Sequence, residues 1–160
     1  MKRVLDLLKR VPIDLGQGPM ADRTQGKRIG LKRIPESIGG LVLDLGARTG
    51  IQTRILEAKG YRVVSADMEP LFEDCMALDA NEPLPFDDET FDAVWCSEVI
   101  EHLRDPEAVL LELRRVTRPG GQLILTTPNS GMWIFRLLTV LGLPPEKVQH
   151  AGHLHFFSAD

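Results

Sequence analysis

The sequence predicts a doubly wound α/β domain, with a mainly parallel sheet of about five strands and helices on both faces. Three observations carry this. Short apolar runs alternate with segments of helical period, the pattern of repeated strand–helix–strand units. Glycine or proline punctuates the ends of those segments. Acidic residues stand just after three of the apolar runs, where open parallel sheets hold their ligands. The chain has 160 residues, 43% of them apolar and 26% charged. A domain of this size buries roughly 70% of the surface that its unfolded chain exposes, enough for a core.

Residues 1–40 read as a basic N-terminal segment of loop and short helix, and residues 41–160 as the α/β domain. Residues 3–11 suit a short helix ended by Pro12, and residues 12–40, rich in Gly, Pro and charge, read as loop with one helical turn. Leu41 to Leu45 is the first strand, apolar enough to be buried on both faces. Gly46 to Gly50 is a turn. Ile51, Ile55 and Ala58 then recur at helical spacing, and Gly60 stands where a helix C-terminal glycine belongs. Arg62 to Ala66 is the second strand, Cys75 to Leu78 a short third, and Phe91 to Cys96 the fourth. Asp105-Pro106 opens a helix, with the aspartate as N-cap and proline at the first position. Val109, Leu110, Leu113 and Val116 form its apolar stripe, and Arg118-Pro119-Gly120-Gly121 ends it. Gln122 to Thr126 is the fifth strand. Asn129 or Ser130 can cap a last helix with Trp133, Leu137, Val140 and Leu141 on one face, ended by Gly142 and Pro144-Pro145.

The net charge is −4 and the pI about 5.6. That balance argues against general nucleic-acid binding, which needs a cationic surface. The charge is uneven: residues 1–40 carry nine Lys/Arg against four acids, so the remainder is −9. The basic stretch is either a solvated leader or a lid or docking surface for an anionic partner. Cys75 and Cys96 fit no zinc spacing and no disulfide framework, which points to reduced core residues and a cytoplasmic setting. Asp6, Lys9 and Arg10 interrupt any signal-peptide core. No stretch has the apolar length of a transmembrane segment.

Asp44 ends the first strand, beside the Gly46–Gly50 turn. Asp67 ends the second, and Asp79 follows the third. With Leu84-Pro85-Phe86 and Phe91-Asp92, this ordered series resembles the class I S-adenosylmethionine-dependent methyltransferases. Within them it is most similar to the small-molecule group that includes the ubiquinone-biosynthesis O-methyltransferases. The match runs from about Leu41 to Ser158. The resemblance implies a Rossmann-like fold, S-adenosylmethionine as cofactor, and a small-molecule acceptor that the sequence does not name. It implies that Gly46, Ala47 and Gly50 let backbone approach the methionine part, and that Asp44 holds its amino-acid end. Asp67 would accept both ribose hydroxyls. Met68 would lie against adenine, Asp79 would accept from the exocyclic amine, and the Ala80 amide would donate to a ring nitrogen. Taken singly, each of these residues also suits a strand-end cap, a core position or a turn. A nicotinamide-binding loop is the nearest competitor, but Gly46-Ala47-Arg48-Thr49-Gly50 lacks G-x-G-x-x-G spacing.

Arg48 departs from the family pattern D-x-G-x-G-x-G at its central glycine. Its side chain must point away, displace the cofactor, or place its guanidinium on the donor's carboxylate. If the turn needs positive φ there, a non-glycine residue costs about 1 kcal/mol or more.

The stretch Ser97-Glu98-Val99-Ile100-Glu101-His102 follows the fourth strand, where relatives carry a similar E-x-x-E-H. Glu98 or Ser97 would lie near the methionine part, and Glu98 stands with His102 as a catalytic candidate. His102 is the candidate base, since histidine exchanges protons near neutral pH, or else a helix-start residue bonding backbone. Glu101 reads as a solvated first-turn residue. His150, His153 and His155 fall in a predicted loop without a completing ligand, so no metal is expected. Met132, Trp133, Phe135 and Leu138 make the last helix apolar, suited to packing on the sheet, to an acceptor pocket or to a membrane surface. The resemblance further implies another helix and an antiparallel strand pair after Ser158-Ala159-Asp160. Without that pair the fifth strand is a bare edge, open to a homo-oligomer or another partner. The leading function is methyl transfer. The alternative is a non-catalytic methyltransferase-like binding or assembly module with weakened donor affinity. An RNA-modifying enzyme would rest on residues 1–40 alone.

Overall fold

The computed structural model describes residues 24–131, 133–149 and 152–158. The expected helix at 3–11, together with Met132, His150, Ala159, Asp160 and the side chain of Trp133, lies outside the described residues.

Strands β1 (Leu41–Leu45), β2 (Arg62–Asp67), β3 (Cys75–Ala77), β4 (Phe91–Ser97) and β5 (Thr117–Thr126) form one sheet in the order β3-β2-β1-β4-β5. Every pairing is parallel. The chain runs outward from β1 to β3, then returns to the other side of β1 for β4 and β5. The switch point therefore lies between the carboxyl ends of β1 and β4, where such sheets bind ligands. The sheet is covered on both faces, as predicted. On one side Val42, Ala93 and Trp95 pack with Ile34, Leu56 and Tyr61. On the other, Leu43, Leu45, Val94 and Cys96 pack with Val109, Leu113 and Val116. The alternation of side chains along β1 and β4 produces this division.

The helices are α1 (Gln25–Arg33), α2 (Ile51–Ala58), α3 (Pro106–Val116), α4 (Trp133–Val140) and α5 (Pro145–Val148). For α3 the caps are as read: the Asp105 carboxylate accepts from the Ala108 amide at 3.1 Å, ahead of Pro106. Arg115 at its far end donates to Glu112, Asp88 and the carbonyls of Leu84 and Phe86, fastening the loop before β4. Both cysteines are free and buried, and burial pushes their thiols up to about 11 for Cys75 and about 12 for Cys96. No helix among the described residues is long and apolar enough to cross a membrane.

Four local readings are corrected. Residues 25–33 form a nine-residue helix rather than a loop with one turn. Its inward residues are Lys27 and Gly30, so it has no apolar stripe to read. Gly30 lets it approach the sheet, since a Cβ there would stand 2.8 Å from the Trp95 ring. In α2 the buried residues are Gln52, Thr53 and Leu56, while Ile55 is 37% exposed. Thr53 turns inward because its hydroxyl donates to the buried Asp44 carboxylate near the end of β1. Strand β5 begins at Thr117, five residues early, with the Gly120-Gly121 bend absorbed as an irregularity against β4. Among the described side chains of α4, Phe135 and Leu138 are buried, whereas Leu137, Val140 and, just after the helix, Leu141 are exposed.

The corrected face of α2 is testable in urea unfolding. Leu56→Ala should cost about 2–5 kcal/mol, as a fully buried leucine does. Ile55→Ala should change stability by only about 0.5 kcal/mol.

Candidate functional site

The residues just after each strand build the site. Beyond β1 the chain folds against β2: the Gly46 and Ala47 amides both donate to the Ala66 carbonyl, at 2.8 and 3.1 Å. Gly46 has φ +84, and a Cβ there would collide with the Val99 side chain. Gly50, at φ +74, starts α2 with the Phe72 ring 3.0 Å from where its Cβ would be. Both glycines are thus required by conformation and by space. Arg48 between them has φ +41, the left-handed conformation that its usual glycine would take freely. Its exposed side chain leaves a backbone that donates to Asp67 Oδ2 at 2.9 Å.

Asp44 is 1% exposed. Its Oδ2 accepts from Thr53 Oγ1 at 2.6 Å, and that hydroxyl also lies 3.0 Å from Ser65 Oγ. Its Oδ1 is buried without a hydrogen-bond partner. Burial raises the Asp44 carboxyl to about 6, against the lowering effects of the Thr53 hydroxyl and the Lys27 charge. Asp67 stands on the neighbouring strand tip, with Oδ1 accepting from the Glu69 amide at 2.8 Å. The Leu78 amide donates to the Asp67 carbonyl at 2.9 Å, which brings the exit of β3 beside that tip. Asp79 comes next, accepting from the Asn81 amide and side chain at 2.9 and 2.8 Å, bonds that hold its carboxyl below the ordinary value. Ala80 is buried, while Met68 is 66% exposed. The three carboxylates therefore lie at or just beyond the ends of three adjacent strands, with Asp44 and Asp67 beside the glycine turn.

Across the switch point, Ser97 Oγ lies 2.5 Å from Thr126 Oγ1, which donates to Glu98 Oε1 at 3.1 Å. With the Thr126 proton on Glu98, the Ser97 hydroxyl donates to Thr126. Glu98 is held at φ +58, and its amide donates to the Thr126 carbonyl at 2.8 Å. Glu101 is not solvated, contrary to its reading as a first-turn residue: it is 1% exposed. Segment 152–158 covers it, with the Leu154 and His155 amides donating to its carbonyl at 2.7 and 3.1 Å. Its Oε2 accepts from Thr127 Oγ1 at 3.1 Å, and burial raises its carboxyl.

His102 Nδ1 lies 2.9 Å from the Gly152 carbonyl. A carbonyl only accepts, so Nδ1 carries the proton and Nε2 is the basic atom. The His153 ring meets His102 edge to face at 4.7 Å, and its Nε2 is 3.9 Å from Glu101 Oε1. Among the described residues, Glu101, His102 and His153 bring possible metal-ligand atoms within 4.8 Å of one another. His155 points its Nε2 to the Leu103 carbonyl instead, at 2.9 Å.

Sequence reasoning missed the hydroxyls that hold these carboxylates: Thr53, Thr126 and Thr127. The last two were signalled by their place at the carboxyl end of β5. It also missed Lys27, a buried cation whose charge bears on both Asp44 and Glu101. A separate groove of about 550 Å³ runs between α1 and β5, lined by Ile29, Leu123 and Leu125 and reaching Thr126 and Thr127.

The family described as a methyltransferase domain matches residues 43–125. The ubiquinone biosynthesis O-methyltransferase of Xylella fastidiosa (strain 9a5c) is 30% identical over 128 residues, covering 68% of this chain and 50% of that protein. The demethylmenaquinone methyltransferase of Corynebacterium urealyticum is 39% identical over 111 residues, covering 65% of this chain and 48% of that protein. An S-adenosylmethionine-dependent methyltransferase structure from Mesorhizobium loti superposes with a TM-score of 0.58 at 19% identity, over 66% of this chain and 55% of that one. The chain spans about half the length of the curated relatives it matches.

The raised Asp44 carboxyl has a consequence for stability. Its native value lies above its ordinary value, so the folded state takes up the proton first and stability falls as pH rises from about 4 to 6. Asp44→Asn removes that loss. In urea unfolding at matched pH, the variant should gain on the parent chain through this window, by about 3 kcal/mol at pH 7.

Proposed function

The chain belongs to the methyltransferase-domain family of class I, S-adenosylmethionine-dependent methyltransferases, and from that premise we propose that it transfers a methyl group from S-adenosylmethionine to a small molecule. The observation that carries this is the pairing of an unpartnered, buried Asp44 oxygen with the Asp67 carboxylate, beside a turn with no room for a Cβ at Gly46. These residues fit a nucleoside that carries an ammonium group. When bound, S-adenosylmethionine supplies an already activated methyl group, so the protein's task is placement.

Asp44 Oδ1 would accept from the donor's ammonium group, and Asp67 from the ribose hydroxyls. Asp79 and the Ala80 amide would read the adenine edge, with Met68 as an apolar cover. Ser97 and Glu98, fixed through Thr126, would border the methionine part. His102, with its proton held on Nδ1, offers Nε2 to remove a proton from an acceptor hydroxyl. The names of the two relatives make a quinone-precursor ring the first acceptor to try. Those names also support an enzyme over a non-catalytic module. Two buried, free cysteines support a reducing, cytoplasmic setting.

Titration calorimetry tests the donor, and methyl transfer from labelled S-adenosylmethionine tests the reaction. The parent chain should bind S-adenosylmethionine, and Asp67→Ala should weaken that binding at least about tenfold, the scale of lost hydrogen bonds to a charged group. His102→Ala should keep donor affinity while slowing transfer to a hydroxyl acceptor by about 10²–10⁴-fold. No donor binding by the parent chain would refute the reading.

A further inference from the structure

We propose that Arg48 is a donor-binding residue, holding the carboxylate at the amino-acid end of S-adenosylmethionine; this rests on the reading that the cleft takes that donor. The turn from β1 to α2 keeps the backbone of a glycine turn while carrying an arginine at its centre, at φ +41. Strained positions of this kind persist where the surroundings fix them, and they gather at ligand sites. Here the surroundings do fix it. The Arg48 amide donates to Asp67 Oδ2 at 2.9 Å, and its carbonyl accepts from the Leu71 amide at 3.0 Å. The exposed guanidinium is therefore rooted beside the carboxylate assigned to the ribose.

The charges around the turn decide what that guanidinium meets. The amino-acid end of the donor is a zwitterion and needs an acceptor for its ammonium and donors for its carboxylate. The buried, unpartnered Asp44 Oδ1 is the acceptor. Carboxylates dominate the rest of the cleft: Asp67, Asp79 and Glu98. The charge of buried Lys27 acts on Asp44 and Glu101, and Arg54 donates to the Thr49 carbonyl at 3.4 Å. Two positive features remain at the turn. One is the start of α2, which has no side-chain cap at Gly50 and presents the positive end of its dipole. The other is Arg48, two residues earlier, whose planar fork matches a carboxylate. The arginine thus replaces the room that a glycine would leave with a charge that the ligand needs.

Two ligands separate this role from nucleoside binding in general. S-adenosylhomocysteine carries the amino-acid end, whereas 5′-methylthioadenosine has the same nucleoside and thioether without it. Both are titrated calorimetrically into the whole chain and into Arg48→Gly and Arg48→Lys. Glycine suits φ +41, so the first variant folds at least as well as the parent. Arg48→Gly should bind S-adenosylhomocysteine about tenfold more weakly and 5′-methylthioadenosine unchanged, with Arg48→Lys between. Unchanged or tighter binding of S-adenosylhomocysteine by Arg48→Gly, or an equal loss for both ligands, overturns the assignment while leaving the donor reading intact. If the parent chain binds neither ligand, both fall together.

Discussion

The structure depends on one buried carboxylate. Asp44 closes β1, the central strand, and lies almost fully out of water. Burying an ionisable group is costly unless partners hold it, and the neighbouring elements supply them. Thr53 turns into the protein from α2 to donate to it, and Ser65 on β2 stands behind that hydroxyl. Lys27 brings a buried positive charge from α1. Two helices therefore place polar side chains where a helix ordinarily places apolar ones. One Asp44 oxygen is still left without a partner, at the mouth of the switch point.

The same logic extends across the strand ends. Each carboxylate near the switch point is held by a short donor: Asp67 by the Arg48 and Glu69 amides, Glu98 by Thr126, and Glu101 by Thr127. Such bonds fix the direction of each carboxylate. Segment 152–158 does the equivalent for His102, setting its tautomer through the Gly152 carbonyl while its amides bond the Glu101 backbone. The acid–base candidate and the buried glutamate beside it are thus oriented by a stretch of chain some fifty residues away.

The strands were legible because buried parallel strands are short apolar runs closed by glycine, proline or an acid, as Leu41–Leu45 and Phe91–Ser97 are. Helix α3 was legible through Asp105-Pro106 and its apolar stripe. Helix α1 was not, because its inward residues are a lysine and a glycine and its contact with Trp95 comes from the missing Cβ of Gly30. The face of α2 was misread because Thr53 serves Asp44, which no periodicity reveals. Glu101 was misread for a related reason: the segment that buries it is remote in sequence. The carboxylates themselves were visible at strand ends, but the threonines that hold them look like ordinary strand and helix residues until the strands are paired.

The similarity to methyltransferases implies S-adenosylmethionine as the donor, and the proposed site seats it against Asp44 and Asp67. The most direct measurement is a crystal structure of the chain grown with S-adenosylhomocysteine. The account predicts the ribose hydroxyls on the Asp67 carboxylate and the amino group on the free Asp44 oxygen. A nucleoside seated elsewhere, with Asp67 facing solvent and Asp44 still unpartnered, would contradict it.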